Sequence, residues 1–88
     1  MSSFKSKLDK AVQVHLDMML LINICKSNTG SSDLWGIYWE SFWELSMGFP
    51  FKVDWSDPDT GYEEDIMQRY NAIDKFMKSI YSAREYVK

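Results

Sequence analysis

Apolar and weakly polar side chains recur at Phe4, Leu8, Ala11, His15, Met18, Ile22 and Cys25. These alternating steps of four and three are the spacing of one helix face and predict a first helix. Its second half, Leu16 to Cys25, is apolar at eight of ten positions, broken by Asp17 and Asn23, and is expected to be buried on most sides. Periodicity alone also leaves room for a buried strand from Met18 to Cys25. Ser27, Asn28, Thr29, Gly30, Ser31 and Ser32 form a turn cluster.

A second helix is bounded by Ser31 or Ser32 as cap, Asp33 in the first turn, and Gly48 and Pro50 after its end. Trp35, Tyr38, Trp39, Phe42, Leu45 and Phe49 share one face at helical spacing, Glu40 and Glu44 stack on the opposite face, and Trp43 falls at the border. Trp39 and Phe42 are expected in the core, with Trp35, Trp43 and Trp55 partly exposed. Two like charges one turn apart cost an isolated helix about 0.2–0.5 kcal/mol, so this acid pair is kept for solubility or for an external cation.

Phe49, Phe51, Val53 and Trp55 alternate with Pro50, Lys52 and Asp54, the period of a half-buried strand. Such a segment must pair with Met18 to Cys25, pair with a partner molecule, or lie extended on helices. Asp57, Pro58 and Asp59 make a turn, and Thr60 with Glu63 matches a capping box. A last helix is predicted from Tyr62 to Tyr86, with Ile66, Tyr70, Ile73, Met77 and Ile80 on one seam. With no repeat and no long linker, residues 1–88 are expected to form one mainly α domain: a bundle of three to four helices with one short extended aromatic segment, 49–55.

Composition narrows the class. In 88 residues there is material for one core, and 45% hydrophobic content excludes disorder. A single cysteine, Cys25, cannot form an internal disulfide, so packing must hold the fold and a cytoplasmic setting is expected. No signal-peptide pattern and no membrane-length apolar run is evident, so no membrane role is expected. The formal charge of −3 is unevenly spread: Asp33 to Asp65 holds nine acids against Lys52 alone, with nine of the fourteen aromatics, while both flanks are basic. A local field of one sign attracts an oppositely charged partner and repels phosphates, so nucleic acid is not expected as a direct ligand.

Catalytic patterns are sparse. His15 and Cys25, ten residues apart on one helix, would lie about 15 Å apart along the axis, beyond hydrogen-bond reach. Cys25 reads as a small buried apolar residue and His15 as a partly buried, hydrogen-bonded side chain. No transition-metal set, calcium-loop pattern or glycine-rich phosphate loop occurs, so no metal or cofactor is expected. Glu40 and Glu44 could be read as a catalytic carboxylate pair, but that needs a cleft that separates their pKa values; the expectation is no enzyme. Binding remains, since tight interfaces use aromatic anchors ringed by charge.

Trp35-Gly36, Trp39-Glu40, Trp43-Glu44 and Gly48, followed by Pro50-Phe51-Lys52-Val53-Asp54-Trp55, resemble the barstar family of small acidic intracellular ribonuclease inhibitors over residues 34–55. The resemblance implies that Glu40 and Glu44 enter a nuclease active site in place of substrate phosphates, that Trp35 packs on the enzyme, and, as an alternative fold, an α/β protein with a small parallel sheet. In length, acidity and layout the chain also resembles the four-helix immunity proteins of nuclease bacteriocins. The functional expectation is an inhibitor that blocks a basic protein, a nuclease toxin, through Trp35, Glu40, Trp43, Glu44, Asp54, Trp55, Asp57 and Asp59, as a monomer or homodimer. Two alternatives stand beside it: a phage-encoded inhibitor of a host defence nuclease, and a self-assembling helical protein joined through Phe49 to Trp55 and the Ile66 to Ile80 seam.

Overall fold

Among the described residues the chain forms three helices: α1 (Ser3–Ser27), α2 (Asp33–Met47) and α3 (Tyr62–Tyr86). The computed structural model describes residues 3–27, 33–55 and 61–86, and the side chains of all of these except 33 and 82–86. The turn residues 28–32, with the caps Ser31 and Ser32, the turn 57–59 and the capping threonine Thr60 lie outside the described residues.

Each helix packs on the other two. Ala11, Met18 and Ile22 of α1, Trp35 and Phe42 of α2, and Ile66, Ile73 and Met77 of α3 meet in one core. These are the faces that the four-and-three spacing predicts. At 25 residues, α1 and α3 are each about 37 Å long and account for the elongated shape, 46 × 23 × 19 Å.

Helix ends follow local chemistry. The Gly48 amide donates to the Glu44 carbonyl at 2.9 Å and the Phe49 amide to the Ser46 carbonyl at 3.3 Å, so the last turn of α2 closes before Pro50, which has no amide to continue it. Gly61, at φ 135°, precedes α3, and its carbonyl accepts from the Asp65 amide at 3.1 Å. A side chain is strained at that φ, which explains a glycine there. Glu63, Glu64 and Asp65 fill the first turn of α3, where the helix dipole favours negative charge.

Two expectations need correction. No strand occurs among the described residues, so neither a strand at Met18 to Cys25 nor the sheet of the α/β alternative exists there. Residues 49–55 instead lie over the helices, with Phe49 buried, Phe51, Val53 and Trp55 half-buried, and Lys52 and Asp54 exposed. The two-residue alternation is genuine, but it packs rings rather than pairing backbones. Phe49 and Phe51 stand 5.6 and 5.1 Å from the Phe76 ring of α3, and Phe4 of α1 meets Phe51 edge-on at 5.9 Å. Each such pair contributes about 0.5–1.5 kcal/mol beyond area burial.

The second correction concerns α1. Leu16, Leu20 and Ile24 are 46%, 62% and 42% exposed, so its apolar half is not buried on most sides. The two other described helices cover one side of α1 and leave this row of every fourth residue exposed.

Candidate functional site

The face of α2 opposite the core carries Ile37, Glu40, Trp43, Glu44 and Met47, all exposed. This is the arrangement the sequence pattern predicts for the two acids, and α2 contains no lysine or arginine to neutralise them. No described cation lies within ion-pair distance of Glu40 or Glu44. Trp43, 41% exposed, stands next to Glu44 with much of its ring in water. A large aromatic flanked by uncompensated carboxylates is the composition of an interface anchor.

Trp35 does not join this face. It is 7% exposed and part of the core, so it cannot pack on a partner as the barstar resemblance implied. Its spacing with Phe42 and Phe49 placed it on the apolar face, and burial followed the spacing rather than the motif. Trp39 is partly buried against the core while Phe42 is fully buried. Asp54 is exposed on the segment after α2, whereas Trp55 is half-buried with the Arg69 guanidinium 5.4 Å from its ring centre. Asp57 and Asp59 lie outside the described residues.

A second cluster, on the side of α2 that meets α3, carries most of the buried polar chemistry. Asp65, Arg69 and Ser46 are 8%, 6% and 3% exposed. Asp65 accepts from the Trp39 indole N–H at 2.5 Å and from Arg69 Nε at 3.0 Å. Arg69 Nη1 donates to Ser46 Oγ at 2.7 Å, and that hydroxyl donates to the Trp43 carbonyl at 2.9 Å. Every buried polar side-chain atom among the described residues has a partner. The network spends one acid of the Asp33–Asp65 stretch inside the fold. Its signal in the sequence was the four-residue spacing of Asp65 and Arg69, which puts opposite charges one helical turn apart.

A third cluster joins α1 to α3. His15 Nε2 donates to Asp74 Oδ1 at 2.9 Å, since an ionised carboxylate only accepts, and the His15 ring stacks on Tyr70 at 5.6 Å. Lys78 Nζ bonds the other Asp74 oxygen at 2.9 Å. Partial burial alone would push the Asp74 carboxyl up, but hydrogen bonds and charge from Lys78 and His15 outweigh it and hold the group below its usual range. Burial pushes the Tyr70 hydroxyl up, with the Asp74 charge adding to it. Burial likewise raises the Cys25 thiol, helped by the negative charge of Glu63, which leaves it a protonated core residue.

An open groove of about 580 Å³ runs between α1 and α2, lined by Val14, Leu20, Leu21 and Leu45, with Lys10, Asp17, Ser41, Glu44 and Gly48 around them. It ties Glu44 to the uncovered row on α1 through Leu20. Among the described residues, the acids, histidine and cysteine form no group of three able to hold a metal ion, and no helix is long and apolar enough to cross a membrane.

Comparison with protein-family models, curated proteins and solved structures finds no match to this chain.

Proposed function

We propose that this chain is a binding protein without catalytic activity that blocks a basic partner, a nuclease toxin, through the outward face of α2. The observation that carries the reading is the exposed trio Glu40, Trp43 and Glu44 on a helix with no basic residue. Lysines and arginines that hold nucleic acid phosphates find two carboxylates one turn apart, and Trp43 supplies an apolar contact beside them. Asp54, exposed on the segment after the helix, adds a further acid. Charge attraction speeds encounter and weakens as salt rises.

Self-assembly through Phe49 to Trp55 and the Ile66 to Ile80 seam is disfavoured. Phe49, Ile66, Ile73 and Met77 are buried inside the single chain, and Phe51 is packed against Phe76. A catalytic carboxylate pair gains no support either: Glu40 and Glu44 stand exposed on the outward face of α2 and are not enclosed in a cleft.

The test is a comparison of wild-type protein with Glu44→Lys and Trp43→Ala in inhibition of basic ribonucleases and deoxyribonucleases, at low and high salt. The expected result is salt-sensitive inhibition of a nuclease, reduced about tenfold or more by either change. Inhibition indifferent to both substitutions, or a captured partner that is acidic, refutes the reading. Trp35→Ala is not a usable probe, because truncating this core side chain costs about 3–5 kcal/mol of stability and confounds binding with unfolding.

A further inference from the structure

The groove between α1 and α2 has an apolar floor, Leu20, Leu21 and Leu45, and a carboxylate on each wall, Asp17 on α1 and Glu44 on α2. Leu16 and Ile24 continue the exposed row one turn to either side of Leu20, so the apolar surface extends about 12 Å along α1. We propose that this groove seats an amphipathic helix of the basic partner, lying along α1 and α2 as a fourth helix. Its aliphatic side chains cover Leu16, Leu20 and Ile24, and its lysines or arginines reach Asp17 and Glu44. The proposal rests on the reading of α2 as the face for a basic protein and names the segment of that protein it receives.

Shape and charge select the occupant. Sites for small molecules bury most of the ligand, whereas this groove is open along its length and continues into an exposed row of every fourth residue, the surface that a helix laid in a groove covers. With a carboxylate on each wall and Lys10 the single basic lining residue, the charge favours a cationic helix. A second copy of this chain fits poorly. Each copy would bring Asp17 and Glu44 against one lining lysine, Lys10, so carboxylates would outnumber cations across the contact.

Two synthetic helical peptides with leucines at every third or fourth position test this, one flanked by lysines and the other by glutamates. Each is titrated by fluorescence anisotropy into the full chain and into Leu20→Ser, Glu44→Lys and Glu40→Gln, with circular dichroism confirming that the variants remain helical. The lysine peptide is expected to bind at least about tenfold more tightly than the glutamate peptide, to lose about tenfold or more in Leu20→Ser, and to lose its advantage in Glu44→Lys. Absent binding, equal binding of the two peptides, or indifference to Leu20→Ser overturns the proposal. So does Leu20-dependent self-association in sedimentation, which would give the groove to a second copy. Lysine-peptide binding that falls in Glu40→Gln but not in Leu20→Ser ends the groove proposal and leaves the acidic face of α2 standing.

Discussion

The two sides of α2 handle charge in opposite ways. Toward α3, Asp65 is enclosed with Arg69, Ser46 and the Trp39 indole, and each of those polar atoms is hydrogen-bonded. On the outward face and toward the groove with α1, Glu40 and Glu44 have no described cation within ion-pair distance, and Leu20 remains 62% exposed. Desolvating an ion is expensive unless its partner is desolvated with it, so the enclosed side is committed to the fold. The open side loses nothing by staying hydrated, and its apolar and acidic groups become useful only when another molecule covers them. Acidity is therefore not one property of residues 33–65: Asp65 is structural, while Glu40 and Glu44 are available.

The enclosed side breaks most readily at Arg69. Arg69→Met leaves the buried Asp65 carboxylate without its cation and removes a donor from Ser46, and is expected to cost about 3–5 kcal/mol in urea unfolding followed by tryptophan fluorescence. Adding Asp65→Leu to that variant should recover part of the loss, because an apolar pair no longer buries an isolated charge. A loss below about 1 kcal/mol for Arg69→Met would mean that water reaches the cluster and that the contrast between the two sides is weaker than drawn.

Two glycines sharpen the account of how α3 meets α2. At Gly61, φ 135° strains any side chain, and Gly61→Ala is expected to destabilise by about 1–3 kcal/mol although nothing lies within 4 Å of the added carbon. At Gly36 an added carbon would stand 3.1 Å from the Tyr62 ring, which is 56% exposed and able to move. Gly36→Ala gains helix propensity of up to about 1 kcal/mol and should be close to neutral. Equal losses at both positions in thermal unfolding would contradict the assignment of strain to Gly61 and space to Gly36.

What could be read in the sequence was whatever one element determines by itself. The seam Ile66, Tyr70, Ile73, Met77 and Ile80, the outward position of Glu40 and Glu44, and the span Tyr62–Tyr86 of α3 follow from spacing, and the structure has them there. Relations between elements were less legible. Leu16, Leu20 and Ile24 are as apolar as the core residues beside them, and only the number of neighbouring helices decides that they stay exposed. The segment 49–55 has strand periodicity because any extended chain on an apolar surface alternates, whether that surface is a sheet or the Phe76 side of a helix. Asp65 looked like one more surface acid until Arg69 and Trp39 closed over it.

A smaller effect, set by pH, probes the seam between α1 and α3. The folded Asp74 carboxyl lies below its ordinary value of 3.8, so its stabilisation is fully present above that value and is lost as pH falls through the lower folded value. Lys78 moves the opposite way, above 10.5, and its contribution is present below that pH and lost as pH rises through the folded value. Asp74→Asn should therefore flatten the acid limb of a urea-midpoint profile below about pH 4 and reduce stability at neutral pH. An unchanged acid limb would assign acid sensitivity to other carboxylates.

The open side should respond least in stability. Glu40 and Glu44 repel each other one turn apart, so Glu40→Gln is expected to leave the urea midpoint unchanged or to stabilise by about 0.2–0.5 kcal/mol, an effect that shrinks with added salt. A destabilisation of more than about 1 kcal/mol would show that Glu40 belongs to the fold as Asp65 does. The small gain is informative because the chain forgoes it: a glutamine at this position would satisfy α2 better than a glutamate. Retaining both acids beside an exposed Trp43 makes sense when a cation from another molecule completes the face.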